Sequence, residues 1–249
     1  MKINRSPLVF ICLLLMSNLL SAQEFDDDAT KPAQSRWMEA MQNAKSLDAF
    51  YIDSSGLLLN DELTIGAAAV QAKLKQAFPN GFSEYVEKEA HQLRHNRRFV
   101  YGSYTAADGK EYKSIIGWHK RSGWMKEFEV IYPEGSTSSD AKNQANALRA
   151  LWVELANQHD PAKIGTDVFS QKGKYFNRGM SFSSDQIGQA YSYMSNESFS
   201  ISLETHLIAP INENITYEIG TFDSGGRGLY VLIWVKEATG WKLLLDFNF

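Results

Sequence analysis

Apolar residues recur along the chain with two different spacings, and each spacing predicts a different kind of element. In the first half, Trp37, Met41 and Ala44 share one face of a helix that Thr30 can cap, with Pro32 in its first turn. The pattern then predicts, in order, a short helix from residue 46, a strand at 56–59, and a third helix that Thr64 caps and that ends at residues 79–81.

Alternation of apolar and polar residues follows these helices. It predicts four long strands, joined in part by the turns Asp108-Gly109 and Ser122-Gly123, at 84–95, 98–105, 111–120 and 124–132. The second half repeats the order, with helices near 141–157 and 161–169, a strand at 173–177, a helix capped by Ser183 or Ser184, and four strands to Phe249. Helices followed by antiparallel strands indicate an α+β fold, and the polar residues 133–140 indicate a linker between the halves.

All six tryptophans of the chain mark an internal repeat. They form three pairs, at separations of 115, 116 and 117 residues: Trp37 with Trp152, Trp118 with Trp234, and Trp124 with Trp241. Gly102-Ser103-Tyr104 matches Gly220-Thr221-Phe222 at a separation of 118. From Gly102 to Trp118 is 16 residues, whereas from Gly220 to Trp234 is 14, so the second hairpin is two residues shorter. Strand alternation has a period of two, so this difference keeps every side chain on the same face in both halves. The sequence therefore predicts one fold of about 110 residues written twice in tandem.

The first 22 residues have the pattern of a secretory signal peptide. Lys2 and Arg5 precede a short apolar run at 8–20, and Ala22 precedes an acidic stretch. Cleavage after Ala22 would leave a secreted or periplasmic protein, and an uncleaved anchor is the alternative.

Composition argues against several classes of function. The chain has 25 Lys and Arg residues and 29 Asp and Glu residues; without residues 1–22, which carry two positive charges, the balance is 23 against 29, a net charge of −6. That charge argues against nucleic acid or an anionic membrane surface as a partner. Cys12 is the only cysteine and lies in the signal segment, so the exported protein would have no disulfide, thiolate nucleophile or cysteine-bound metal.

The order of elements resembles that of the nuclear transport factor two-like superfamily, including its polyketide cyclase (SnoaL-like) and ketosteroid isomerase branches. The ending of the second half, residues 229–236 followed by Gly240-Trp241-Lys242-Leu243, carries the resemblance most closely. It implies two tandem cone-shaped domains, each with helices packed in a strongly curved antiparallel sheet around an apolar pocket. Members include isomerases, cyclases, dehydratases, passive binders and dimerisation modules, so the fold does not choose the function. The implied division is a signal peptide at 1–22, domains at 23–132 and 141–249, and a linker at 133–140.

In ketosteroid isomerase-like members, a carboxylate base stands at the end of the first strand. This sequence has Asn60 there in the first half and Asn177 in the second half. An amide takes up no proton at any useful pH, which weakens the isomerase interpretation. Asp61 follows directly, and a shift of one residue would restore a carboxylate. A turn asparagine at the end of the strand is the alternative.

Glu89 and His91 are matched 115 residues later by Glu204 and His206. Two residues apart on a strand, Glu and His project from one face, and the carboxylate could orient the imidazole as a general base. The alternation around Glu204 instead favours a solvated or domain-contacting face. His91 and His95 would lie about 13 Å apart along a strand, too far for one metal ion. We predict no metal site and no cofactor.

The sequence therefore favours an exported, non-catalytic binder of a small, largely apolar molecule. Tyrosine side chains suit the wall of such a pocket, since they combine an apolar ring with one polar tip. The predicted ligand contacts are Tyr51, Asn60, Tyr101, Asn177 and Tyr217. One alternative is an isomerase, cyclase or dehydratase that uses Glu89 and His91, or Asp61. Another is an interaction module in which the two copies, or two chains, pair through the outer face of the sheet.

Overall fold

The computed structural model describes residues 28–248, so the predicted signal peptide, residues 1–22, lies outside the described residues. Residues 28–248 form two six-stranded sheets, one in each half of the chain, and the sheets share no strand. Each sheet packs against helices on one of its faces. No helix in this part of the chain is both long enough and apolar enough to cross a membrane.

The first half follows the predicted order of elements. Its helices and strands are α1 (Lys31–Gln42), β1 (Tyr51–Leu59), β2 (Glu62–Ile65), α2 (Ala67–Ala77), β3 (Phe82–Arg94), β4 (Arg97–Ala106), β5 (Glu111–Lys120) and β6 (Trp124–Pro133). The predicted second helix is a single 3₁₀ turn, Asp48–Phe50.

The second half has the same order with shorter helices after the first one. Its elements are α3 (Ala141–Asn157), α4 (Pro161–Lys163), β7 (Phe169–Asn177), β8 (Met180–Ser183), α5 (Ile187–Ala190), β9 (Ser202–Pro210), β10 (Ile215–Asp223), β11 (Arg227–Glu237) and β12 (Gly240–Asn248). A π-helical turn at Ile164–Val168 continues α4, and 3₁₀ turns at Ser184–Gln186 and Ser192–Ser195 flank α5.

Both sheets have the same strand order, β2-β1-β6-β5-β4-β3 and β8-β7-β12-β11-β10-β9. Neighbouring strands are antiparallel except for β1 with β6 and β7 with β12, which are parallel. The prediction of antiparallel sheets is therefore corrected at one pair in each sheet. Parallel partners need a long connection, and four other strands and a helix separate β1 from β6 along the chain.

A two-residue turn joins β1 to β2; the sequence pattern offered a turn at Asn60 as an alternative but did not predict the hairpin. Its central residues, Asn60 and Asp61, have φ values of 51° and 63°, as in the type I′ turns that match the twist of a hairpin. Thr64 consequently lies in β2, opposite Leu57, and does not cap α2 as predicted. Gly66, with φ at 98°, takes the position before the helix.

The second half has the same hairpin between β7 and β8. Asn177 pairs with Met180 beside the turn, as Leu59 pairs with Glu62 in the first half. Asn177 is therefore equivalent to Leu59, and the sequence match of Asn177 with Asn60 is shifted by one residue.

Each half has its own core between helices and sheet. In the first, Trp37 of α1 and Leu74 of α2 pack against Val100, Ile116 and Ile131 of the sheet. In the second, residues of α3 and the segment around α5 pack against the inner face of the sheet, among them Trp152, Tyr191, Leu232 and Leu243. Burial of these side chains is the main favourable contribution to each half.

The outer faces of the two sheets pack against each other. Phe128 of β6 stacks on Phe247 of β12 with ring centroids 4.3 Å apart and an interplanar angle of 27°. The hydroxyl of Tyr217 in β10 donates to the backbone carbonyl of Lys113 in β5 at 3.0 Å. The strands at the centre of each sheet are consequently apolar on both faces. The molecule has four layers: helices, sheet, sheet, helices.

Candidate functional site

A cavity of about 80 Å³ lies between the helices and the inner face of the second sheet. Apolar side chains from four elements form most of its wall: Trp152 of α3, Leu203 of β9, Phe222 of β10 and Leu232 of β11. Tyr193 also lines the cavity and is 54% exposed, so the cavity opens to solvent beside it. Its size suits a molecule, or part of one, of a few non-hydrogen atoms.

Strand alternation places these side chains together. Successive residues of a strand face opposite sides, so Tyr230 and Leu232 face the cavity while Val231 packs between the two sheets. The same rule applies to β12, where Asp246 faces the cavity and Phe247 faces the other sheet. Asp246 is thus carried into an apolar interior by a strand whose other face is also buried.

Asp246 is the one carboxylate in the cavity wall, and it is only 3% exposed. The hydroxyl of Tyr191 donates a hydrogen bond to its Oδ2. Burial nevertheless dominates and raises the pKa of Asp246 from 3.8 to about 6, with Tyr191 opposing the shift.

A second buried carboxylate, Glu218 of β10, fixes one wall of the cavity. Its Oε1 accepts hydrogen bonds from Tyr230 at 2.9 Å and from Arg149 of α3 at 2.8 Å, and its Oε2 accepts one from Trp234 at 2.8 Å. The charge of Glu218 is therefore balanced by Arg149, and its lone pairs are used. Because the Tyr230 hydroxyl donates a hydrogen bond to Glu218, the Tyr230 ring is held in place in the cavity wall.

The equivalent space in the first domain is filled by the protein itself. A bulge at the same place in both sheets sets Lys126 opposite Trp118, as Leu243 is set opposite Trp234. Lys126 has no exposed side-chain surface, and its Nζ lies 3.3 Å from the centre of the Trp37 ring.

Glu129, also with no exposed side-chain surface, is the partner of this lysine and the equivalent of Asp246. Glu129 Oε1 accepts from Lys126 Nζ at 2.8 Å and from the Tyr104 hydroxyl at 2.6 Å, and Oε2 accepts from Tyr51 at 2.8 Å. Burial lowers the pKa of Lys126 from 10.5 to about 8, while Glu129 acts in the opposite direction. The first domain thus closes its interior with an internal ion pair.

Two of the residues predicted from the sequence as site residues lie at the turn of the first hairpin. Asn60 is exposed, and the Tyr132 hydroxyl donates to Asp61 Oδ1 at 2.5 Å while the Asp61 amide donates to that hydroxyl at 3.0 Å. Neither lines the second domain's cavity. Tyr51, also predicted, is buried in the first domain's core against Glu129.

Glu89 and His91 lie on the edge strand β3, where the two domains meet. His91 Nε2 is 2.9 Å from Glu89 Oε1, and its ring stacks on that of His206, the repeat equivalent, with centroids 5.6 Å apart. Burial lowers the pKa of His91, and Glu89 opposes that shift. The pair is formed as the sequence suggested, but it is part of the contact between domains and lies outside the cavity.

The three remaining predicted residues also lie outside the cavity. Tyr101 and Tyr217 face each other between the sheets, with ring centroids 6.5 Å apart. Asn177 donates through Nδ2 to the Tyr175 hydroxyl at 3.0 Å and to Asn248 Oδ1 at 3.2 Å. Asn248 does line the cavity, so Asn177 reaches it only through this neighbour.

The residues that the sequence pattern missed are Trp152, Tyr191 and Asp246. One signal was present: Glu129 and Asp246 are separated by 117 residues, the same separation as Trp124 and Trp241. A carboxylate repeated within two very apolar strands is unusual, because buried charge is costly unless it is partnered. Within residues 28–248, no group of three His, Asp or Glu side chains is arranged to hold a metal ion.

Comparisons with known proteins concern the fold alone. No protein-family model matches the sequence, and no curated protein matches it. Solved structures that are similar include a domain of unknown function with a cystatin-like fold from Nostoc punctiforme, with 11% identity, a TM-score of 0.40, and coverage of 45% of this chain and 78% of that chain. An NTF-2 like protein of unknown function from Shewanella oneidensis has 14% identity and a TM-score of 0.40 over 43% of this chain and 98% of that chain.

A third similar structure is an NTF2-like protein with a cystatin-like fold from Novosphingobium aromaticivorans, with 11% identity, a TM-score of 0.35, and coverage of 43% of this chain and 79% of that chain. The strand order is the same in both halves, and helices cover the inner face of each sheet. The fold class predicted from the sequence is confirmed: residues 28–248 form two tandem α+β domains, each with helices on one face of a six-stranded sheet, and the similar solved structures are described as NTF2-like or cystatin-like.

Proposed function

We propose that this protein is an exported binding protein whose second domain takes up a small, largely apolar molecule in the cavity beside Asp246. The observation that carries the proposal is the difference between the two interiors. The second domain keeps an apolar cavity with one carboxylate in its wall, whereas Lys126 and Glu129 fill the same region of the first. An apolar wall with few polar groups is the usual character of a small-molecule site.

The hydroxyl groups around the cavity favour binding over catalysis. An enzyme that moves a proton next to a carbonyl needs a base and a donor for the developing oxyanion. Tyr191 donates to Asp246 and Tyr230 donates to Glu218, so neither hydroxyl is free to donate to a substrate oxygen. The hydroxyls of Tyr193 and Ser224 also line the cavity, on its solvent-exposed side, and Asp246 is the one charged acceptor in its wall.

A mouth-blocking variant tests the proposal. Ser224 lines the cavity at the exposed tip of the β10–β11 hairpin, so Ser224→Phe should obstruct entry without disturbing the core. Ala107→Phe, at the exposed tip of the corresponding hairpin of the first domain, is the matched control. Saturation-transfer NMR with a library of small soluble molecules should give hits that Ser224→Phe loses and Ala107→Phe keeps. Absence of hits, or equal loss in both variants, would contradict the proposal.

Native mass spectrometry of the protein purified from its own host gives an independent test. A retained small molecule in the wild-type protein that is missing from Ser224→Phe supports the proposal.

A second candidate function, proton transfer on a bound ketone, is favoured by the raised pKa of Asp246. A carboxyl group near pH 6 in an apolar site is well matched to act as a general base. Turnover of unsaturated ketones by the wild type that Asp246→Asn abolishes would establish this function in place of passive binding.

A further inference from the structure

The two domains place the same kinds of side chain around their inner carboxylate. In the first, an ammonium group, Lys126 Nζ, lies over the Trp37 ring and 2.8 Å from Glu129 Oε1. Its distances to the ring centres of Tyr51, Tyr104 and Trp118 are 5.8, 5.7 and 5.8 Å. Aromatic faces and one carboxylate around a cation are a known way to bind ammonium groups.

The second domain has an aromatic or acidic residue at each of these positions. Trp152 corresponds to Trp37 by the tryptophan repeat, and Trp234 corresponds to Trp118. The strand registers make Phe169, Phe222 and Asp246 the equivalents of Tyr51, Tyr104 and Glu129 in the first domain. The exception is the cation itself, because Leu243 stands where the first domain has Lys126.

Asp246 therefore lacks the partner that its equivalent has. Among residues 28–248, no Lys, Arg or His side chain forms an ion pair with Asp246, and Arg149 of α3 is bound to Glu218. A buried carboxylate without a positive partner is costly, and a cation from outside would remove that cost. The cavity that reaches Asp246 is also bounded by Trp152 and Phe222.

We infer that the ligand of the second domain is a primary alkylammonium compound, whose charged group takes the place that Lys126 occupies in the first domain. The ammonium donates to Asp246 between Trp152 and Phe222, and the alkyl chain lies along Leu203 and Leu232. This inference rests on the proposed function, since it names the chemical class that the same cavity binds.

Two probes of similar size test the inference. n-Butylammonium reproduces the end of a lysine side chain, and n-butanol is its neutral counterpart. At about pH 7.5 the amine is charged and Asp246 is ionised. We expect n-butylammonium to bind about tenfold more tightly than n-butanol, measured by NMR titration of the full chain. Asp246→Asn should remove this preference while n-butanol still binds.

A substitution taken from the first domain gives the second arm of the test. Leu243→Lys should supply Asp246 with an internal ammonium, as Lys126 does for Glu129, and abolish binding of n-butylammonium. Leu243→Met, uncharged and of similar length, should keep that binding, which separates the effect of charge from that of volume.

The outcomes separate the two proposals. If both probes bind with equal affinity, or n-butanol binds more tightly, the inference about charge is wrong while the cavity remains a ligand site. If neither probe binds, the inference is wrong. If the small-molecule library also gives no hits, the proposed function fails as well. Equal loss of n-butylammonium binding in Leu243→Lys and Leu243→Met would also overturn the inference.

Discussion

Replacing Lys126 by leucine tests the internal ion pair of the first domain. Leucine is the residue at the equivalent position of the second domain, so the backbone of this strand accepts it. The substitution leaves Glu129 buried without its cationic partner, with the hydroxyl groups of Tyr51 and Tyr104 as its hydrogen-bond donors. Breaking a buried pair in this way costs about 3–5 kcal/mol of unfolding free energy.

Glu129→Gln should cost less, because burial already lowers the pKa of Lys126 to about 8 and the amine can lose its proton. The double variant Lys126→Leu/Glu129→Gln removes both charges and should be more stable than Lys126→Leu alone, with a coupling energy of about 1–3 kcal/mol. Urea unfolding followed by tryptophan fluorescence measures all three variants, and Trp37, in contact with Lys126, reports on the site.

The matched control is the exposed pair of Lys73 with Glu62, whose Nζ and Oε2 atoms lie 2.6 Å apart. Lys73→Leu should change the unfolding free energy by less than about 1 kcal/mol, since exposed ion pairs contribute little. The reasoning is refuted if Lys126→Leu costs no more than Lys73→Leu, or if the effects of Lys126→Leu and Glu129→Gln simply add.

Three further predictions concern the cavity, the interface and the repeat. In the folded protein the pKa of Asp246 is raised from 3.8 to about 6, so its contribution to the free energy of unfolding is fully present below pH 3.8 and is lost as the pH rises through 6. Asn has no such dependence, so the unfolding free energy of Asp246→Asn should gain up to about 3 kcal/mol relative to that of the wild type between pH 4 and 7 in urea titrations. Phe247→Ala, which empties the centre of the interface between sheets, should cost about 3–5 kcal/mol in the same assay. Gly220→Ala places a Cβ atom at 2.4 Å from the Glu204 carbonyl oxygen and should cost about 1–3 kcal/mol, whereas Gly226→Ala, with open space around it, should have little effect in thermal unfolding.

The repeat and the class of fold were predictable because they depend on patterns that every strand and helix displays. The three tryptophan pairs and the matching glycines recur at nearly constant separations, and the structure places Trp118 and Trp234 at equivalent, buried positions. Period-two alternation located the long strands. The short hairpins were missed because their turns, Asn60-Asp61 and Arg178-Gly179, carry only one glycine between them.

The site was harder to predict because it depends on contacts between distant elements. The strand face carrying Glu89 and His91 has the alternation of a solvated surface, yet it lies where the domains meet. Leu243 stands in the second domain where the first has Lys126, at the same separation of 117 residues, but the contacts that surround each of them follow only from the fold. Asp246 and its repeat partner Glu129 differ in one neighbour. Lys126 lies three residues before Glu129 in β6, whereas Leu243 lies three residues before Asp246 in β12.

The methionines of the chain provide the most direct measurement of where a ligand binds. Met194 lines the second domain's cavity, while Met38 and Met41 report on the helix of the first domain. With ¹³C-labelled methionine methyl groups, adding n-butylammonium to the full chain should shift the Met194 signal in a saturable way and leave Met38 and Met41 unchanged. Saturable shifts of Met38 or Met41 with an unmoved Met194 would contradict the assignment of the site to the second domain.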